Sequence, residues 1–314
     1  MTPTTHPPSA QNAKGVAFLI AGVAVFSVQD LILKLLSGDY PLHQAMVLRS
    51  LTAIPFLLLL VHWEGGLGSL FTKGTRAMIG RGVVMFAAYT AYYLALAALP
   101  MATTVALYFS APLFITILSV FFLSERVGPR RWAALIAGFA GVLIMVRPGG
   151  ELFDWAALLP VLSGFTYAVS MIAARRLGST ETASALAFWG NAVFLAAALA
   201  MSAVLGSGAY DDGGAAHPAL AFLLRGWVTP TPFDLMLMMS CGIIAAAGLT
   251  LLTQAYRIGE ASVVTPLEYT GLLWSVIYGW VFWRQWPSLP DWTGIAIIIG
   301  AGLYILWREA RPQT

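Results

Sequence analysis

Long apolar stretches alternate along this chain with short polar clusters, and the stretches run close to the ~20 residues that a helix needs to cross about 30 Å of hydrocarbon. Windows of that length predict spans at 14–36, 44–62, 77–97, 101–123, 131–146, 155–174, 183–205, 233–256, 261–283 and 291–307. The fifth window is the shortest and still reaches about 24 Å. The apolar run after Lys14 is too long for the h-region of a signal peptide and has no convincing A-x-A site, so it is expected to be a retained first helix.

Composition then selects the solvent. Hydrophobic residues make up 59% of the chain and charged residues 10%, against roughly 25% charged in soluble domains, and the mean hydropathy is +0.79. In water such a chain would leave large apolar patches exposed. The single cysteine, Cys241, lies in an apolar span and reads as a small packing residue. The formal charge of +3 follows from where the cations sit. With the N-terminus inside, twelve of the seventeen Lys and Arg fall on the cytoplasmic side: Lys14, Lys73, Arg76, Arg81, Arg126, Arg130, Arg131, Arg175, Arg176, Arg257, Arg308 and Arg311. Lys34, Arg49, Arg147, Arg225 and Arg284 fall toward the outer side. Such a bias predicts two cytoplasmic termini and an even number of spans, because one span more or fewer would reverse every later loop.

The chain also repeats itself. Leu99-Pro100-Met101-Ala102-Thr103-Thr104-Val105 resembles Ile258-Gly259-Glu260-Ala261-Ser262-Val263-Val264, and Phe26 to Lys34 lies over Tyr167 to Arg175, each stretch ending in a basic residue. The long segment 206–232 has no counterpart of that length in the first half. The fold expected is an all-α integral membrane protein of ten transmembrane helices in two five-helix repeats, 14–147 and 155–308. An odd number of helices per repeat inverts the second copy, the plan of secondary transporters, whose substrate site lies near the midplane between repeats.

Ala102-Thr103-Thr104, Ala111-Pro112-Leu113-Phe114 and Phe121-Phe122-Leu123-Ser124-Glu125-Arg126, followed by Trp132, Gly138 and Gly141, carry a family resemblance. In the second half Pro266 comes earlier, Gly271 stands where Pro112 would be, and Arg284-Gln285 replaces the Glu-Arg ending. The chain resembles the drug/metabolite transporter superfamily, specifically its ten-helix EamA-type exporters, and within it the bacterial aromatic and neutral amino-acid exporters of the YddG type. The resemblance implies a multi-pass protein of the bacterial inner membrane that exports small metabolites by alternating access through a central cavity. Exporters of amphipathic or quaternary-ammonium drugs are the alternative within this class, and a membrane sensor or assembly subunit the alternative outside it.

Polar side chains inside a bilayer are costly, so each is a candidate site. Asp30 and Lys34 lie one helical turn apart on the first helix, with Arg49 at similar depth on the second, and an ion pair among them would serve as a static bridge or a gate. Glu268 sits about seven residues into the ninth window with no basic residue at matching depth in the sequence, a candidate to bind a proton or the ammonium of an amino acid. Gln29, Ser170, Thr250 and Gln254 add neutral donors and acceptors suited to a zwitterion or to helix–helix hydrogen bonds. Tyr89, Tyr108, Tyr167 and Tyr269 lie well inside their spans, and with Trp274 are candidates to line a cavity or to pack the core. Pro112 and Pro266 each remove a backbone donor within a span and are candidate hinges.

His6, His43, His62 and His217 make no metal-ligand spacing, and no cofactor or nucleic-acid signal is present. H-E-x-x-H, G-x-S-x-G and Walker motifs are missing, so the chain does not read as an enzyme or an ATP-driven pump. The partners expected are a small-molecule substrate and the lipid bilayer, with the chain a monomer or homodimer. If Glu268 carries a proton during transport, Glu268→Gln shifts the pH–rate profile or the substrate preference; an unchanged profile removes it as a proton site.

Overall fold

A computed structural model describes residues 8–123, 128–147, 154–177, 181–211, 217–258 and 265–309, and every regular element among these is helical. The α-helices are α1 (Pro8–Leu36), α2 (Leu42–Glu64), α3 (Thr75–Ala98), α4 (Met101–Tyr108), α5 (Ala111–Leu123) and α6 (Pro129–Val146). They continue as α7 (Leu158–Leu177), α8 (Ala183–Leu205), α9 (Pro218–Leu224), α10 (Pro232–Ile258), α11 (Thr270–Trp283) and α12 (Leu289–Glu309). Short 3-10 turns occupy Leu67–Leu70, Trp155–Ala157 and Thr265–Tyr269.

Among the described residues, six helical stretches are long and apolar enough to cross a membrane: Ala13–Leu36, Leu42–Glu64, Thr75–Ala98, Met101–Phe122, Trp155–Ala173 and Ala183–Leu205. Trp132–Val146, Pro232–Gly248 and Leu289–Tyr304 are shorter apolar helices. Large apolar side chains face outward as lipid requires: Phe121 is 72% and Ile136 70% exposed. This is a multi-pass membrane architecture, since a bilayer admits backbone only when its polar groups are satisfied internally, as in a helix.

Local sequence sets several helix ends. Pro129 and Pro218 open α6 and α9 from their first turns, where a missing N–H costs nothing. Arg147 closes α6 and Arg284 closes α11 in the left-handed region, with φ of 49° and 56°. The short helix α9 lies inside the segment 206–232, where the sequence pattern predicts only a loop.

The span expected at 101–123 is broken rather than continuous. α4 ends at Tyr108 and α5 begins at Ala111, because Pro112 has no N–H to give to the carbonyl four residues earlier. A tight turn bridges the gap, with Ser110 N–H donating to Leu107 O at 3.1 Å and Leu113 N–H to Ser110 O at 3.0 Å. Gly164 of α7 lies against this break, where a Cβ would come within 3.1 Å of Tyr108 O. The ninth span is likewise not a plain helix: the Thr265–Tyr269 turn, which contains Pro266, precedes α11. The two irregular segments meet, with the Phe109 and Tyr269 rings 4.8 Å apart.

The most extensive packing joins α1 to α10, α6 to α12, α3 to α7 and α2 to α8. A second contact of α10, with α2, is made at backbone distance. Thr52 Oγ1 donates to Met239 O at 2.9 Å, and a Cβ on Gly242 would collide with Thr52 and stand 2.5 Å from Arg49 O and 2.8 Å from Ala53 N. Gly242→Ala therefore forces α10 away from α2 and is expected to destabilise the protein by about 1–3 kcal/mol. Thermal unfolding in detergent reads this, and an unchanged midpoint would refute it.

Candidate functional site

A cavity of about 220 Å³ lies between α1, α3, α4, α7, α10 and α11. One face of α1 supplies Val23, Phe26, Ser27 and Asp30, the three-to-four-residue spacing that stacks side chains along a single helical face. Tyr89 and Tyr92 come from α3, Tyr108 from the end of α4, Phe109 from the break, Ser163 and Tyr167 from α7, and Glu268 from the 3-10 turn. The break in the fourth span thus puts Tyr108 and Phe109 on the cavity wall.

The aromatic wall is continuous. Tyr108 packs against Tyr92 at 5.2 Å and Tyr167 at 5.7 Å between ring centroids, so rings from three helices meet at one residue. Beside them Tyr92 donates its hydroxyl to Asp30 Oδ2 at 2.8 Å. Behind the wall, Tyr93 is 1% exposed and accepts from Gln29 Nε2 at 3.0 Å and from Arg49 Nη1 at 3.4 Å.

The polar cluster expected on α1 and α2 is therefore arranged differently from a direct ion pair. Among the described residues no carboxylate lies in salt-bridge contact with Lys34 or Arg49, and tyrosines stand between the charges. Arg49 lies 6.0 Å from the Tyr89 ring centroid and 5.7 Å from that of Phe194. Lys34 is 8% exposed and turns away from the cavity, donating to Leu96 O and Leu99 O at 2.6 Å each, with the Trp283 ring 5.2 Å away. Those carbonyls belong to the last turn of α3, where a cation meets the negative end of the helix dipole.

Of the remaining sequence candidates, Gln29, Tyr89, Tyr108, Tyr167 and Glu268 line the cavity, and Ser170, Tyr269 and Trp274 do not. Ser170 is fully buried away from it, its backbone carbonyl accepting from Arg81 Nε at 3.3 Å. Tyr269 directs its hydroxyl toward Gly302 on α12. Trp274 stacks on Tyr278 of its own helix at 6.2 Å. The side chains of Thr250, Gln254 and Pro266 lie outside the described residues. Phe26, Ser27, Phe109, Ser163 and Ser275 line the cavity without having been singled out by sequence. Extending the α1 face one turn back from Asp30 reaches Phe26 and Ser27, so that signal was present.

The sequence matches the EamA-like transporter family over residues 13–147. Over 263 residues it is 32% identical to the riboflavin transporter of Rhizobium johnstonii, an alignment covering 84% of this chain and 79% of that protein. The chain belongs to the EamA-like transporter family. The S-adenosylmethionine uptake transporter of Rickettsia bellii is 27% identical to it over 96% of both chains. The pseudopaline exporter of Pseudomonas aeruginosa is 24% identical, covering 91% of this chain and 94% of that one. A solved crystal structure shares the fold, with a TM-score of 0.63 at 19% identity over 98% of this chain and 100% of the other. As an EamA-like transporter the protein is a multi-pass carrier of a small-molecule substrate.

The Tyr92–Asp30 bond joins α3 to α1 on the cavity wall at 2.8 Å, and hydrogen bonds to charged groups contribute about 1.5–3 kcal/mol. Tyr92→Phe is expected to destabilise the EamA-like transporter by about that amount, and by much less in an Asp30→Ala background, where the hydroxyl has already lost its acceptor. A double-mutant cycle by thermal unfolding reads the difference; strictly additive effects would show that the bond contributes nothing.

Proposed function

We propose that this protein is a secondary carrier that moves small metabolites bearing a flat aromatic ring and an amino group, by alternating access through the cavity beside Asp30 and Tyr108. The observation that carries this reading is the wall itself, where rings from three helices meet next to a carboxylate. Tyrosine rings pack on flat π-systems, and a carboxylate set among aromatic faces attracts a cation. Riboflavin and S-adenosylmethionine, for which two relatives are named, are both built on a flat heteroaromatic ring, and the second also carries an amino group. Aromatic amino acids, the substrates expected from the sequence, belong to the same chemical class.

Ten spans in two inverted halves give the mechanism its frame. Each sequence window carries helical backbone, and the packing supports the symmetry. Exchanging the halves turns the α1–α10 contact into the α7–α3 contact and maps α2–α8, α4–α11 and α6–α12 onto themselves. With both termini cytoplasmic, the outer end is shut where Lys34 holds the last turn of α3 against Trp283. The inner end is reached past Glu268, an exposed part of the cavity wall. A carrier in this conformation is open to load from the cytoplasm, the state from which an exporter turns over.

Proteoliposomes containing the purified protein test the reading with radiolabelled S-adenosylmethionine, riboflavin, tryptophan and a quaternary-ammonium dye. Protein-dependent flux of a ring-bearing amine is expected, reduced about tenfold or more by Tyr108→Ala, which corresponds to about 1.4 kcal/mol of lost stacking. Flux that ignores the Tyr108 substitution, or flux confined to riboflavin and the dye, which lack the amino group, would sink the proposal.

A further inference from the structure

Arg49 is a cation inside the membrane-spanning bundle that, among the described residues, has no carboxylate in salt-bridge contact. Its Nε is sealed from solvent with no hydrogen-bond partner among the described residues, and its hydrogen bond to the Tyr93 hydroxyl is long at 3.4 Å. Its remaining contacts are with ring faces, Tyr89 at 6.0 Å and Phe194 at 5.7 Å. A guanidinium offers a planar fork of donors matched to a carboxylate, and one held inside the bundle with its Nε edge unpartnered is arranged for an anion supplied from elsewhere.

The position of Arg49 says which anion. Tyr89, on which the guanidinium rests, is itself part of the cavity wall, as is Gln29, which shares the Tyr93 hydroxyl with Arg49. Gln29 Oε1 is also buried without a partner. Rotating that amide lets Tyr93 donate to Gln29 while accepting from Arg49, and leaves the Gln29 amide N–H groups available to an acceptor. Asp30, held by Tyr92, lines the same cavity. The wall thus offers a carboxylate at Asp30 and, one ring behind the surface, a guanidinium with an amide beside it.

We propose that Arg49, assisted by Gln29, is a carboxylate-binding subsite of the transport cavity. Asp30 receives the ammonium of the same substrate, so the protein selects ring-bearing zwitterions over ring-bearing amines that lack an acid group. This rests on the cavity being the transport site, as proposed above, and adds a second charge requirement to it. Binding exchanges the long Arg49–Tyr93 contact for a forked pair with the substrate carboxylate, at the expense of a shift of the Tyr89 ring.

The test uses two matched pairs that differ only by the acid group: L-tryptophan against tryptamine, and S-adenosylmethionine against its decarboxylated form. Binding is measured to the full-length protein in nanodiscs. The acid-bearing member of a bound pair is expected to bind at least about tenfold more tightly, the range of a charge-assisted forked contact. Arg49→Gln is expected to erase that preference while changing amine binding by less than about threefold. Arg49→Lys, which keeps the charge and the packing stem but not the fork, is expected to fall between. Equal binding of both members by the unmodified protein overturns the inference even if no variant folds, and so does an equal loss of both on Arg49→Gln. Binding of the amines alone overturns the carboxylate subsite and leaves the ring-and-amine reading standing. Binding of none of the four overturns both.

Discussion

Inside a bilayer no water is on hand to take up a stray carboxylate or ammonium, and the centre of this protein is organised around that constraint. Asp30, Lys34 and Arg49 all sit in the spanning region, yet they do not neutralise one another by contact. Each is accommodated separately, Asp30 by the Tyr92 hydroxyl, Lys34 by the terminal carbonyls of α3, and Arg49 by ring faces and Tyr93. Tyrosine suits this role because it packs as an apolar ring and still brings one donor and one acceptor. The dense tyrosines of α3 are therefore both the lining of the cavity and the insulation between its charges.

The second determinant is the break between α4 and α5. A continuous helix there would keep Tyr108 and Phe109 within a regular surface. With Pro112 removing one backbone donor, the chain turns at mid-depth and presents both rings to the cavity, while Gly164 allows α7 to close against the turn. The exposed backbone at that point is tolerated because it is buried in protein rather than lipid. Close approach at Gly242 does comparable work on the far side, bringing α10 onto α2 next to Arg49.

Helix positions were largely readable from the sequence because hydropathy acts over about twenty residues at a time, although the window at 101–123 is broken and the one at 261–283 opens, among the described residues, with a 3-10 turn. Several cavity residues were readable for the related reason that a polar or hydroxylated side chain deep in a span needs a partner or a void. What could not be read was rotation. Tyr269 and Trp274 sit at depths like those of Tyr108, but one turns to Gly302 and the other to Tyr278, and only packing between helices sets that direction. The ion pair expected from depth alone is not seen among the described residues for the same reason: Lys34 is one turn from Asp30, but its long stem reaches the end of α3 instead.

That choice of partner gives Lys34 a further property. Its amine sits in a closed seam between α1, α3 and α11, 8% exposed and committed to two carbonyl oxygens. Any motion that parts the seam must hand the ammonium from those carbonyls to water, and any motion that closes it must strip the water off again. An amine-modifying reagent would find this lysine only during the interval in which the seam is parted. The rate at which Lys34 becomes reactive therefore measures how often that seam opens.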